Sequence, residues 1–419
     1  MKFVRKFFVR KKIIQKLAAP QICLVLCLAL ISFFIINSSF TKMRERYVND
    51  VIESRFQFIE KGMEASAEKC VSETSLFVHL PVVMEAYDIA LGGNINDPYS
   101  PESQAARELL RKELAVYLDS HHKVTGKKLN LHFHLPSGLS LVRLWQEKNT
   151  KVNGEWVDIS DDLSAIRQMV TDVNRTGRTA KGLEAGIGGF TIRGVIPVMA
   201  DDGRQLGSAE VLQEFDPLLQ TAIEDGKVYV SMYVNKNLLD FSIELQDQEK
   251  YPVKGDFIRI FDAKNASGES LITSELLSKG KNSVYFEDHS KLALVAYPLN
   301  DYRGNQVGIL VFEMNTSAIA ALANRAAIIL SIILAGIAFG PALVLLQRAN
   351  ELIVKPLNKI KAKIVDISQD RADLGDWIPC TQNDEIGDLA MEFNTLTSKM
   401  RCILWKHNDV RSQNTESAS

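Results

Sequence analysis

Two stretches of this chain are almost free of charge, and they constrain the fold more than anything else in it. They are LAAPQICLVLCLALISFFII (residues 17–36) and AAIILSIILAGIAFGPALVLL (residues 326–346). At ~1.5 Å rise per residue, about 20 residues of helix cover the ~30 Å of bilayer hydrocarbon, where a helix satisfies its own backbone. MKFVRKFFVRKKIIQK (residues 1–16), before the first stretch, carries seven Lys/Arg and no acid. Arg348, Lys355, Lys359, Lys361 and Lys363 follow the second. This asymmetry predicts a two-pass protein of the bacterial inner (plasma) membrane, with both termini cytoplasmic and the intervening region periplasmic. NSSFTKMRER, after the first stretch, offers no small-x-small cleavage pattern, so an uncleaved anchor is expected rather than a signal peptide.

Charge is nearly balanced, 49 Lys+Arg against 51 Asp+Glu, which argues against a nucleic-acid-binding surface. Cys23 and Cys27 lie in the first span and Cys380 and Cys402 on the cytoplasmic side. That leaves Cys70 alone outside, so no disulfide within the exported part is expected. The sequence holds no C-x-x-C-H, P-loop, G-x-S-x-G or H-E-x-x-H pattern. No catalytic residue and no cofactor is expected, and the chain is not read as an enzyme.

From Thr41 to about Val78 the apolar spacing is helical, and a second helix begins at SPESQAARELL, with Ser100 as N-cap and Pro101 at N1. After Gly126 the period becomes two. Leu129, Leu131, Phe133 and Leu135 alternate with Asn130, His132 and His134, PSG turns the chain, and LSLVRLW returns. Later strands are expected in GGFTIRGVIPVM, RQLGSAEVLQEF, KVYVSMYV, DFIRIFDA, SVYFED, KLALVAYPLN and NQVGILVFEM. Within them Pro197, Gly203, Gln205 and Gly207 recur as Pro298, Gly304, Gln306 and Gly308, each displaced by 101 residues. Two hairpins matched at four positions predict two copies of one α+β module in tandem.

A long membrane-proximal helix, two antiparallel-sheet modules and a helix returning to the membrane resemble the double Cache sensor domain of bacterial receptors. LHFHLPSGLSLVRLW and GGFTIRGVIPVMADDGRQLGSAEV are similar to a Cache subgroup found on methyl-accepting chemotaxis proteins and sensor kinases. The resemblance covers residues 41–322. It implies tandem Cache-like (PAS-like) modules, a distal one at about 79–220 and a proximal one at about 227–315. It also implies ligand sensing, usually in the distal module.

His132 and His134 share one strand face. An even-length turn would put Arg143 and Trp145 on that face, and an odd one on the other. Three readings stand: a satisfied polar sheet face, a pocket for an organic or amino acid, or part of a metal site. H-x-H supplies two ligands and no third Cys or His follows nearby, so no metal is expected. In the pocket reading Arg143 and Arg193 are forked donors to a carboxylate, while His132, His134 and Trp145 supply hydrogen bonds and an apolar wall. GLEAGIGG (residues 182–189) lacks nucleotide-binding spacing; it reads as a flexible connection in preference to a pocket wall.

Beyond the second span, Ile353, Leu357, Ile360, Ile364 and Ile367 step by 4, 3, 4, 3, and Ile386, Leu389, Phe393, Leu396 and Met400 by 3, 4, 3, 4. These are two coiled-coil seams. With Pro356 and DEIGDLAMEFNTL they resemble the HAMP domain over residues 347–401, a parallel four-helix coiled coil in a dimer. Pro356, Asp384, Glu385, Ile386 and Gly387 are the signal-relay candidates that resemblance implies. Residues 402–419 are polar at their end and are expected to be disordered, with no output domain. The whole reads as the N-terminal part of a chemoreceptor-like protein: a homodimer that senses a small periplasmic solute and passes the signal through HAMP to a separate cytoplasmic protein. The alternative is a sensor subunit of a histidine kinase or diguanylate cyclase system. Its expected partners are the solute, the lipid bilayer and that signalling protein, with no nucleic acid.

Overall fold

The structure, a computed structural model, describes residues 13–416 apart from 187–188, 224, 238–246, 248, 264–267, 290, 370–372 and 380–382. Most of the basic N-terminal segment and Cys380 lie outside the described residues. The chain divides into two compact units, residues 43–321 and residues 1–42 with 322–419.

Helix α1 (Ile13–Ser75) runs unbroken out of the first apolar stretch into the larger unit. There Val48, Ile52, Ile59, Ala67 and Cys70 return to one face at helical spacing, and all are buried. Two more helices follow, α2 (Pro81–Leu91) and α3 (Pro101–Thr125). Ser100 caps α3, its Oγ accepting from the Ser103 amide at 3.3 Å, and Gly126 ends it at φ 70°.

The first sheet has five strands in the order β2-β1-β7-β6-β5, every pairing antiparallel. They are β1 (Asn130–His134), β2 (Ser140–Arg143), β5 (Ala180–Gly186), β6 (Gly189–Met199) and β7 (Gln205–Glu214). Between β2 and β5 lie a small hairpin, β3 (Thr150–Val152) with β4 (Glu155–Val157), and helix α4 (Gln168–Thr176). The short helix α5 (Asp216–Ala222) leads to the second sheet, ordered β11-β12-β13-β8-β10-β9. Its strands are β8 (Val228–Asn235), β9 (Val253–Lys254), β10 (Phe257–Asp262), β11 (Tyr285–Asp288), β12 (Leu292–Asn300) and β13 (Gln306–Asn315), with α6 (Ser274–Gly280) inserted before β11. GLEAGIGG is corrected here. Residues 180–186 form strand β5, paired with β6 from Ala180↔Val195 to Gly186↔Gly189, because the open edge of β6 offers that backbone a ladder a free loop would lack.

The second sheet buries apolar side chains on both faces, Val230 and Phe312 on one and Leu294 and Val311 on the other, whereas the first turns a single apolar face to its helices. On the first, Leu131, Phe133, Val142, Ala209 and Val211 pack against Val83, Ala86, Tyr87, Leu110 and Leu114 of α2 and α3. Burying each large side chain contributes ~1.5–3 kcal/mol. The repeated motif forms two matched hairpins, β6–β7 and β12–β13. Gly203 and Gly304 hold φ 83° and 82° at the turns, each donating its amide at 2.9 Å to the residue three back. The Gln205 side chain donates to the Gly207 carbonyl at 3.1 Å, and Gln306 to Gly308 at 2.6 Å. A Cβ on Gly207 would meet the His134 carbonyl, and one on Gly308 the Tyr233 carbonyl at 2.6 Å. The glycines recur because a neighbouring strand lies in the same place in both copies.

In the other unit, α7 (Ser317–Ala349) carries the second apolar stretch. Windows of 18 residues within Ala18–Ser75 and Ser317–Ser368 reach mean hydropathies of 2.5 and 2.6. Leu24, Phe34 and Ile332 are more than 60% exposed, apolar surface that lipid accepts and water does not. A single π turn (Asn350–Val354) joins α7 to α8 (Lys355–Ser368). Pro356 explains it: the residue has no amide to donate, and its ring crowds the carbonyl four residues back, so the regular ladder cannot pass. Helix α9 (Glu385–Glu416) runs well past Met400, correcting the expectation of a disordered tail from 402. No Gly or Pro interrupts RCILWKHNDVRSQNTE, so nothing in the backbone stops the helix.

Candidate ligand pocket

The first sheet's second face is polar and just as buried. Strand alternation places His132 and His134 on it, and the β1–β2 register sets Arg143 directly opposite His132. That answers the parity question left open by the sequence, since the two share a face. A register shift between Phe133 and His134 brings Ser140 opposite His134. Across β1–β7, His132 faces Glu210 and His134 faces Ser208. Val195 faces Glu210 on β6, so Arg193, two residues away, shares the face, as does Glu184 of β5.

Residues between β2 and β5 close over this face. Arg167, just before α4, donates to Glu184 Oε2 at 2.9 Å and to Glu210 Oε2 at 2.6 Å. Arg193 Nη1 reaches the Glu210 oxygens at 3.2 and 3.3 Å. His132 Nδ1 lies 3.0 Å from Glu210 Oε1, and its Nε2 lies 2.7 Å from Ser140 Oγ. His134 Nε2 lies 3.0 Å from His132 Nδ1, and its Nδ1 lies 3.2 Å from Ser208 Oγ. Arg143 grips Asp161 with two prongs at 2.7 and 2.8 Å. Trp145 meets the His132 ring edge-on, centroids 5.8 Å apart. Asn149, fully buried, donates to Ser140 Oγ at 2.9 Å and to the Ile159 carbonyl at 3.0 Å. Helix α3 clamps the cover from outside: Arg107 donates to the carbonyls of Leu141 and Asp158, each at 2.8 Å, and Arg111 holds Asp158 at 2.6 and 2.8 Å.

Burial sets the protonation states. It pushes the His132 imidazole well below its ordinary value, reinforced by His134, and lowers His134 likewise. Burial alone would raise the Glu210 carboxyl, but the guanidiniums of Arg167 and Arg193 outweigh it and hold the group well below the carboxylate range. Around Glu210 the face therefore carries neutral imidazoles beside two carboxylates and two guanidiniums, and the Arg143–Asp161 pair beside them is balanced in itself. Breaking one such buried pair costs ~3–5 kcal/mol.

His132, His134 and Arg193 of the expected site thus meet on one carboxylate, Trp145 stands at the rim, and Arg143 is engaged by Asp161. Sequence reasoning missed Glu210, Glu184, Arg167 and Asp161. The signal for Glu210 was present: a lone acid inside the otherwise buried run LGSAEV. The relay candidates lie in the other unit. Asp384 accepts from the Ile386 and Gly387 amides at 3.0 Å, capping α9, and Glu385 begins that helix. Ile386 packs with Ile360, Ile378 and Ala390, and Gly387 is buried.

A family model for the double sensory domain of two-component sensor kinases (dCache_3) matches residues 98–319, more than half of the chain. The chain belongs to the dCache_3 family. Its mixed α and β architecture with antiparallel sheets is that of a Cache sensory domain, and with the two apolar helices it makes a membrane receptor with an extracellular sensor. No curated protein matches the chain. Solved structures similar to it include an extracellular ligand-binding receptor from Desulfohalobium retbaense (12% identity, TM-score 0.32, covering 62% of this chain and 39% of that one). Another is the sensor domain of the Vibrio cholerae histidine kinase DctB (8%, TM-score 0.35, 64% and 98%). A third is the ligand-binding domain of Mlp24 with asparagine (11%, TM-score 0.26, 65% and 99%). The family match alone carries the assignment.

Proposed function

We propose that this dCache_3 receptor senses a small carboxylate-bearing solute, an organic or amino acid, on the polar face of its first sheet. The observation that carries this is the double grip of the half-buried Arg143 on Asp161, beside the buried Arg193 on Glu210: guanidiniums on this face already hold carboxylates of the protein, and a solute carboxylate competes for them. Pocket residues are then Arg143 and Arg193 as anion donors, His132 and His134 as hydrogen-bonding groups, and Trp145 as apolar wall. The receptor is read as a two-pass inner-membrane protein with its sensor in the periplasm, and its modules as 79–220 and 227–315.

A route from pocket to membrane supports the reading. Arg167 stands immediately before α4, and Asp172 on α4 accepts from the Tyr302 hydroxyl at 2.8 Å and from Arg303 at 2.6 and 2.8 Å. Tyr302 and Arg303 lie on the turn before β13, and β13 continues through Thr316 into α7. Displacing Arg167 thus pulls on the strand that leads to the second span. A solute drives the change only by binding one arrangement better than the other. Beyond α7, residues 347–401 act as a HAMP dimer that chooses between two packings, passing the signal to a cytoplasmic protein. The family's description favours a sensor-kinase system; the chemoreceptor reading rests on the resemblance of its sensor and HAMP segments.

The experiment is a thermal-unfolding screen of the full chain in lipid nanodiscs against amino acids and organic acids. A ligand at 100-fold its dissociation constant adds ~2.7 kcal/mol of stability. One carboxylate should raise the midpoint, Arg143→Ala should abolish the shift, and Asp161→Asn should strengthen it. A panel that shifts nothing, or shifts Arg143→Ala equally, rules the pocket out.

A further inference from the structure

Three ligand-type atoms converge on the polar face: His132 Nδ1, His134 Nε2 and Glu210 Oε1. Their mutual separations are 3.0, 3.0 and 3.3 Å. Ligands arranged tetrahedrally at ~2.1 Å from a zinc-sized ion stand ~3.4 Å apart, so this triangle is close to one face of such a tetrahedron. A single proton can be shared inside it, because two ring N–H groups pointing inward at 3.0 Å would clash.

The far side of every ligand is also held. His132 Nε2 meets Ser140 Oγ at 2.7 Å and His134 Nδ1 meets Ser208 Oγ at 3.2 Å. With those nitrogens donating to the serine hydroxyls, both inward nitrogens present lone pairs. Glu210 Oε2 is fixed by Arg167 at 2.6 Å, which leaves Oε1 to face the histidines. Two imidazoles and one carboxylate, each oriented by a partner, form the ligand set of a first-row transition ion rather than of calcium or magnesium, which take oxygen.

We propose that His132, His134 and Glu210 bind one divalent transition-metal ion, zinc or a close neighbour, through Nδ1, Nε2 and Oε1, leaving a fourth position open. Arg167 and Arg193 already balance Glu184 and Glu210, so the ion adds positive charge that nothing on the face offsets. The fourth ligand is therefore an anion, and a solute carboxylate is one. The metal site stands on its own geometry; only its part in sensing rests on the function proposed above.

The test uses the tag-free full chain in nanodiscs, stripped with a chelator and titrated with Co²⁺. The visible spectrum is followed, Zn²⁺ is added as competitor, and metal per chain is counted by mass spectrometry. One ion per chain is expected, with the intense bands of tetrahedral cobalt, displaced by zinc and lost in His134→Gln. Ser140→Ala keeps all three ligands and should weaken binding ~10–100-fold by freeing the His132 ring. A folded wild-type protein that takes up no stoichiometric metal overturns the site, as does uptake unchanged in both variants. A carboxylate-induced thermal shift without metal uptake leaves the sensing function standing and removes the metal. Metal uptake without any solute response does the reverse.

Discussion

Asp158 shows how single residues hold the covering segment on the polar face. Burial works to raise its carboxyl, but hydrogen bonds from Arg111 and Gln104 and the nearby Arg107 outweigh that and leave it below its ordinary value. A carboxyl lowered by folding stabilises the folded state above its unfolded value, ~3.9, and that contribution fades as pH falls through the folded value. Wild type and Asp158→Asn should therefore differ by a constant amount above about pH 5 and converge below about pH 4. Thermal midpoints measured across that range check it, and a difference that persists undiminished into acid refutes it. Glu210 differs in kind: it is fully buried and joins β1, β6 and the covering segment through His132, His134, Arg193 and Arg167.

At the scale of elements, the two hairpins offer a matched experiment. Gly203 and Gly304 adopt the same positive φ, and a Cβ added at either meets nothing within 4 Å. Their cost to alanine is then backbone strain alone, ~1–2 kcal/mol at each site. Gly203→Ala and Gly304→Ala should lower the unfolding midpoint of the sensory domain by similar amounts, and an effect confined to one would show that the hairpins are not equivalent. Gly194 serves a different need. A Cβ there would strike the backbone of α1 at Val71, and the Thr74 hydroxyl donates to the Gly194 carbonyl at 3.2 Å. Strand β6, which carries Arg193, is thereby pressed against the helix that continues into the first apolar stretch.

At the scale of the whole molecule, two predictions concern transmission. Arg303→Ala combined with Tyr302→Phe removes both side-chain holds of the 302–303 turn on Asp172. It should leave solute affinity within about twofold while flattening the output, because surface-side ion pairs contribute little to stability. Binding and signalling measured on the same variant separate the two effects, and an unchanged output excludes this route. The second concerns the dimer. Ile364, Leu389, Leu396 and Met400 lie on the seam positions of α8 and α9 yet are 45–54% exposed in one chain. The dimer proposed above would cover that seam with a partner chain. Leu389→Cys, with the exposed native cysteines changed to serine, should cross-link between chains in membranes under mild oxidation. Failure there, alongside efficient cross-linking at the outward position Thr395→Cys, would exclude a seam in this register.

The sequence by itself determined the two membrane-length helices, the period-two strands, the tandem hairpins and a histidine pair on one strand face. Each depends on neighbours along the chain: an uncharged run of about 20 residues, an alternation, a turn that requires glycine. Tertiary structure alone decided what that polar face contains. Glu210 stands opposite His132 across 78 residues of sequence, and Arg167 arrives from a segment with no strand or helix pattern of its own. It also turned residues 182–186 from a connection into an edge strand, since their pairing depends on β6 being alongside. Register and burial are properties of several segments at once. A charged residue within an apolar strand shows in the sequence that something must pair with it, and only the packed sheet shows what does.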